Sequence, residues 1–166
     1  MRFFSQRFSL LLPALFGLLL SGCGFQLSGY QPLPSSAQQV ALSLESDTPV
    51  VFEHALRNSF RQQGIQLNAN ATYQLIIEEV EQNRREITLD SSANTDEYEM
   101  LMQVHFSVLN RETQKASGNL RAFSEKILDY DANNEAASAT LETTIKREMW
   151  QTLADRIVRQ FIARAQ

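Results

Sequence analysis

The sequence predicts an α+β protein: a two-layer sandwich in which a four-stranded mixed sheet carries two helices on one face. Three observations lead there. In residues 97–109, Tyr98, Met100, Met102, Val104, Phe106 and Val108 alternate with Glu97, Glu99, Gln103, His105 and Ser107, Leu101 being the exception. That is the period of a strand with one face buried. Further on, Leu141, Ile145, Met149, Leu153, Ile157 and Phe161 recur every four residues, the mark of a long amphipathic helix. The elements between and before them give the order β-α-β-β-β-α, which places one parallel crossover ahead of an antiparallel meander and a closing helix.

Arg2 and Arg7 open the chain, followed by a run from Phe8 to Leu20 that is apolar apart from Ser9, Pro13 and Gly17. A basic start, a short apolar core and small residues at 21 and 22 make a secretory signal over residues 1–22, too short for a transmembrane helix. The order Leu20-Ser21-Gly22-Cys23 resembles a bacterial lipobox. That resemblance implies cleavage before Cys23, diacylglycerol on its sulfur and an acyl chain on the new amino group. Two or more chains suffice for stable membrane anchoring. Gly24, in place of the Asp that tends to retain such lipoproteins in the inner membrane, resembles an outer-membrane address.

Residues 23–38 read as a lipidated tether, with Gly24, Gly29, Pro32, Pro34 and Ser35-Ser36 breaking any period. Phe25, Leu27 and Tyr30 are apolar for a spacer, so part of it should pack on the domain or in a partner. Residues 39–166 then form one domain. Val40, Leu42 and Leu44 alternate as a short strand. Asp47-Thr48-Pro49 signals a helix start, with Asp or Thr capping and Pro where a missing N–H costs nothing. Phe52, Leu56 and Phe60 give that helix its stripe, and Gly64-Ile65 is a left-handed stop followed by an apolar clasp.

Leu67 to Asn70 reads as a loop. Thr72 to Val80 is apolar on both faces at Leu75-Ile76-Ile77, as an interior strand is. Gln82 to Asn94 is charged, an extended and exposed hairpin end. After the strand at 97–109, the polar turn from Asn110 to Lys115 leads into a fourth strand from Ala116 to Leu128. Asp131, Asn133 and Asn134 are placed to cap the last helix, about 30 residues or roughly 45 Å long. A second stripe on it, Trp150, Ala154, Val158 and Ile162, is more than one sheet face covers easily. Either the helix bends over a twisted sheet, or one stripe docks on another protein.

Composition narrows the function. Without the leader the chain keeps 13 basic against 19 acidic residues, a net charge of −6, and no basic stripe with interleaved aromatics. Nucleic acid is therefore a poor partner. With Cys23 lipidated no cysteine remains, so packing alone must hold the fold. The two histidines, His54 and His105, have no His or Cys at metal-ligand spacing, so no metal or cofactor is expected. His105 shares a strand face with Ser107, yet no nucleophile elbow surrounds the serine and a cross-strand hydrogen bond is the simpler account. No catalytic constellation is expected. Arg84-Arg85, the one adjacent basic pair outside a helix, is the candidate for binding a phosphorylated lipid or a protein partner.

These pieces resemble the lipopolysaccharide-assembly lipoprotein family LptE. The residues that carry the likeness are Cys23-Gly24-Phe25-Gln26-Leu27, Thr95-Asp96-Glu97-Tyr98-Glu99-Met100, and Arg147-Glu148-Met149-Trp150 followed by Ala154, Arg159 and Phe161. The resemblance implies a non-enzymatic outer-membrane lipoprotein, lipid-anchored, facing the periplasm. It implies a complex with the LptD β-barrel, residence in the barrel lumen and help in moving lipopolysaccharide to the outer leaflet. The family also carries a basic residue just before the position of Thr95 and another near the start of the last helix, both tied to lipopolysaccharide. Here residues 90–94 and 133–138 contain no Lys or Arg. Two rivals stay open on the sequence: a lipoprotein chaperone or pilot for a different barrel or secretin, and an envelope hydrolase using His105.

Overall fold

A computed structural model describes residues 33–89, 95–131 and 134–165. Cys23 with the leader, residues 90–94 and Asn133 lie outside the described residues. The last part of the expected tether is packed: Pro34 leads into a 3₁₀ turn at Ser35–Ala37, Ala37 is buried, and Leu33 lies against the core.

Five strands and two helices follow: β1 (Gln39–Ser43), α1 (Val50–Gln62), β2 (Gln66–Leu67), β3 (Tyr73–Leu89), β4 (Thr95–Asn110), β5 (Lys115–Asp129) and α2 (Glu135–Arg164). They form one mixed sheet in the order β2-β1-β3-β4-β5. β1 runs parallel to both neighbours, and β3, β4 and β5 form the antiparallel meander. The fold class stands as read, with one strand more. That strand, β2, is two residues long and pairs only Gln66 and Leu67 with Gln39 and Val40. Two residues carry no periodicity, so a loop was the natural reading of Leu67. Backbone bonds from Gln66 to Gln38 and from Asn68 to Val40, both 2.9 Å, hold it on the sheet edge.

Both helices lie on one face, in a single core with the inward side chains of the sheet. The even positions of β4 from Tyr98 to Val108 are all buried, as are Phe52, Leu56 and Phe60 of α1. In α2, Met149, Leu153, Ile157 and Phe161 are buried, and so are Trp150, Ala154 and Val158 of the second stripe. The cover for that second stripe is α1. Phe52 meets Trp150 at 5.1 Å between ring centroids, and Phe60 meets Phe161 edge-on at 5.4 Å. Ser59 adds a hydrogen bond to Asp155, 2.7 Å, between the helices. Neither a bent helix nor a foreign protein is needed to explain the stripe. The first stripe stays open at its outer end, with Leu141 45% exposed.

The helix ends correct one expectation and meet another. Pro49 occupies the N-cap of α1 and no side chain caps it, so neither Asp47 nor Thr48 does. Among the described residues, the buried Thr48 hydroxyl has no hydrogen-bond partner. Asn134 is the N-cap of α2, again without a side-chain cap; instead Ser138, one turn in, accepts the Asp131 N–H at 3.1 Å. At the far end of α1, Gly64 has φ of +73°. Its N–H bonds Arg61 and the Ile65 N–H bonds Phe60, both 3.0 Å, the paired closure expected of a left-handed glycine stop. Among the described residues, no helix is long and apolar enough to cross a membrane.

Candidate partner-binding surface

The candidate surface is built on β3 and β4, whose register shifts at three places; the first of them decides which way Arg84 and Arg85 face. Ile77 pairs with Phe106, but the next pair is Glu79 with His105, so Glu78 is an extra residue on β3. Such a bulge reverses the side-chain alternation beyond it. Before it the odd residues Leu75 and Ile77 point into the core. After it the even residues Val80, Gln82, Arg84 and Glu86 share the face of the buried Val104, Met102, Met100 and Tyr98. Arg84 therefore faces the helix side and Arg85 the outer side. The adjacent pair is not one cationic site.

Arg84 belongs to a cluster that joins the sheet to α2. Its guanidinium stacks 3.6 Å above the ring centre of Tyr98 and reaches the Glu142 carboxylate at 3.5 Å. The Tyr98 hydroxyl donates to the same carboxylate at 3.2 Å, and Lys146 contacts it one turn along the helix. The hydrogen bond from the Lys146 ammonium outweighs burial and holds the Glu142 carboxyl below its ordinary 4.5. Burial pushes the Tyr98 phenol above its ordinary 10.0, against the pull of Arg84. Two cations converge on one carboxylate here, so the cluster keeps a net charge of +1 with both cations already engaged inside the domain.

Arg85 stands on the opposite face, its side chain 70% exposed and bonded to Glu99 at 2.9 Å. Thr88 donates to Glu97 at 3.1 Å further out. Inward along this outer face come Glu81 beside Gln103 and Glu79 beside His105. The amide of Gln103 donates to His105 Nε2 at 2.7 Å, a bond along one strand and not the cross-strand bond the sequence suggested. Ser107 is buried on this strand, and no bond joins it to His105 among the described residues. His54 is exposed on α1 and lines a shallow cleft with Val50, Asn58, Arg147 and Gln151.

On β5 the outer face carries Phe123 and Ile127, 45% and 58% exposed. Their alternation with buried Ala122 and Ser124 was readable in the sequence, but no expectation was attached to them. β5 is also a free edge, and α2 covers part of it. Arg156 donates to the Phe123 carbonyl and Gln160 to the Arg121 carbonyl, occupying acceptors that a foreign strand would need.

The LptE family model, described as lipopolysaccharide-assembly, matches residues 37–161. The chain belongs to the LptE family. Solved structures agree on the fold. The chain is similar to a minor lipoprotein from Acinetobacter baumannii, at 23% identity over 77% of this chain and 92% of that one, with a TM-score of 0.64. It is similar to the rare lipoprotein B from Shewanella oneidensis, at 20% identity over 75% and 94%, with a TM-score of 0.66. An uncharacterized lipoprotein B from Nitrosomonas europaea follows at 16% identity over 81% and 91%, with a TM-score of 0.63. No curated protein sequence matches the chain. Of the two positions where the resemblance implies a basic residue, the one before Thr95 lies outside the described residues. At the other, α2 opens with Glu135, and its first basic residue is Lys146, already engaged with Glu142.

Proposed function

We propose that this LptE-family chain is an outer-membrane lipoprotein, anchored through lipid on Cys23, that assembles with the LptD barrel from the periplasmic side and occupies its lumen. There it assists transport of lipopolysaccharide to the outer leaflet, without enzymatic activity. The observation that carries this reading is the family match over residues 37–161. The geometry suits it: apart from Leu141, both helix stripes are buried or half-buried inside the domain, which leaves the outer sheet face free for a partner. A barrel lumen is polar and hydrogen-bonding, and that face offers Arg85, Glu79, Glu81, Gln103 and His105. Phe123 and Ile127 add an apolar anchor at its edge. Arg84 serves the domain itself, and Arg85 is the member of the pair available to a partner.

The test is a mild-detergent purification from membranes with identification of whatever comes down. Equal amounts of one large LptD-type barrel support the reading; a secretin, or a different barrel, transfers the chain to the pilot class. Cys23→Ser should abolish lipid attachment, since only the thiol accepts the diacylglyceryl group, and mass spectrometry of the amino-terminal peptide reads this directly.

A further inference from the structure

We infer that the outer face of the sheet holds a binding site for a late first-row divalent metal ion of the zinc class, formed by Glu79, Glu81 and His105. Each residue brings one ligand atom, and the three atoms lie within 4.8 Å of one another. The bulge at Glu78 creates the arrangement: by shifting β3 one residue it sets Glu79 directly opposite His105, with Glu81 next along on the same face.

Three features favour an ion there. First, neither Glu79 nor Glu81 has a hydrogen bond or ion pair among the described residues, so two carboxylates on one face lack a counter-charge. Arg121, opposite His105 on β5, has its guanidinium 5.7 Å from the ring centre of Phe123. Second, the Gln103 side-chain amide nitrogen lies 2.7 Å from His105 Nε2. An ion taking that nitrogen displaces the amide N–H, and the amide can turn its carbonyl oxygen toward the ion. Third, the site is open to solvent on one side, leaving room for water or the Gln103 carbonyl oxygen as further ligands. Ligands about 2.1 Å from a tetrahedral ion sit roughly 3.4 Å apart. Closing from 4.8 Å takes rotation about the terminal torsions of the exposed Glu79 and the half-buried Glu81, which are broad.

The donor set selects the metal. One imidazole with two carboxylates suits zinc, nickel or copper, and the nitrogen disfavours calcium and magnesium, which want oxygen alone. The ion would join β3 to β4 where their hydrogen-bond ladder is interrupted. It would also neutralise the two carboxylates on the face free for a partner.

The test uses the full chain, without a histidine tag, in mild detergent. Zinc is titrated in competition with a chromophoric chelator, and cobalt(II) is added separately to read the ligand field. The expected result is one ion per chain and a melting temperature raised by zinc. Losing a direct ligand should cost at least the tenfold in affinity that losing a supporting partner does, so His105→Ala and Glu81→Gln should each weaken binding by about that much or more. His54→Ala should leave it unchanged, and the cobalt absorption should vanish in His105→Ala. The inference is overturned if binding does not saturate at one site, or if His105→Ala and Glu81→Gln bind as the parent does. Because the readout is the purified chain alone, the outcome is independent of which barrel the protein joins.

Discussion

The two ends of the sheet are closed by different means. At the end nearer β1, two helices cover the inner face, and every inward position from Leu75 and Ile77 to Phe106 and Val108 is apolar and buried. Beyond the bulge, only the first half of α2 lies over the sheet. There the inward positions of β3 run from Val80, still half-buried against the core, to Gln82, Arg84 and Glu86, which are exposed. Closure at that end comes from Arg84 stacked on Tyr98 and from Glu142 gathering Tyr98, Arg84 and Lys146. One helix cannot exclude water from a long hairpin, so polar side chains that tolerate water finish the job. The lesson is that a strand can leave a dry core without ending, provided its inward residues change character where the cover stops.

The largest effect that would sharpen the contrast is Phe106→Ala. The side chain is fully buried in the core, and truncating a buried Phe costs about 3–5 kcal/mol. That is a large part of the ~5–15 kcal/mol that holds a domain together. A drop of many degrees in melting temperature is expected; a shift of a degree or two would mean that the dry end is not the stable one.

Glu142→Gln probes the wet end and should cost less, on the order of 1.5–3 kcal/mol, the scale of hydrogen bonds to a charged group. The pH dependence gives a sharper reading. Because the folded carboxyl is held below 4.5, its contribution is fully present above the ordinary carboxylate range and fades as pH falls through the depressed value. The gap in stability between parent and Glu142→Gln should therefore be open at neutral pH and close on acidification. A gap that widens in acid would break the account of this cluster.

Arg85→Glu is the smallest. An exposed ion pair is worth about 0–1 kcal/mol, so the melting temperature should hardly move. Recovery of the barrel complex should nevertheless fall if the outer face is the docking surface. Changing Arg84 together with Arg85 would blur the result, since Arg84 belongs to the domain's own closure.

What could be read from the sequence follows from the length of each pattern. β4 alternates over more than a dozen residues and α2 repeats its stripe over several turns, so both were legible, as was the glycine stop at Gly64. β2 has too few residues to alternate. The bulge at Glu78 was hidden because Glu78 and Glu79 are both polar, and either could be the extra residue. Its consequence, Arg84 and Arg85 on opposite faces, was hidden with it. The cluster of Glu79, Glu81 and His105 depends on strand register, which spacing along one strand does not reveal. The expected caps at Asp47 and Thr48 were overruled by Pro49, which itself takes the N-cap position.

The pairing of Phe52 with Trp150 and of Phe60 with Phe161 also sets a timetable for synthesis. The first aromatic of each pair leaves the ribosome about a hundred residues before its mate, a wait of roughly 5–20 s at ~5–20 residues per second. Throughout that interval α1 has no second helix to fold against, and the sheet lacks most of its cover. The nascent chain must stay loose until its final turns emerge. On the reading of residues 1–22 as a secretory leader, that delay favours threading through a translocon before folding.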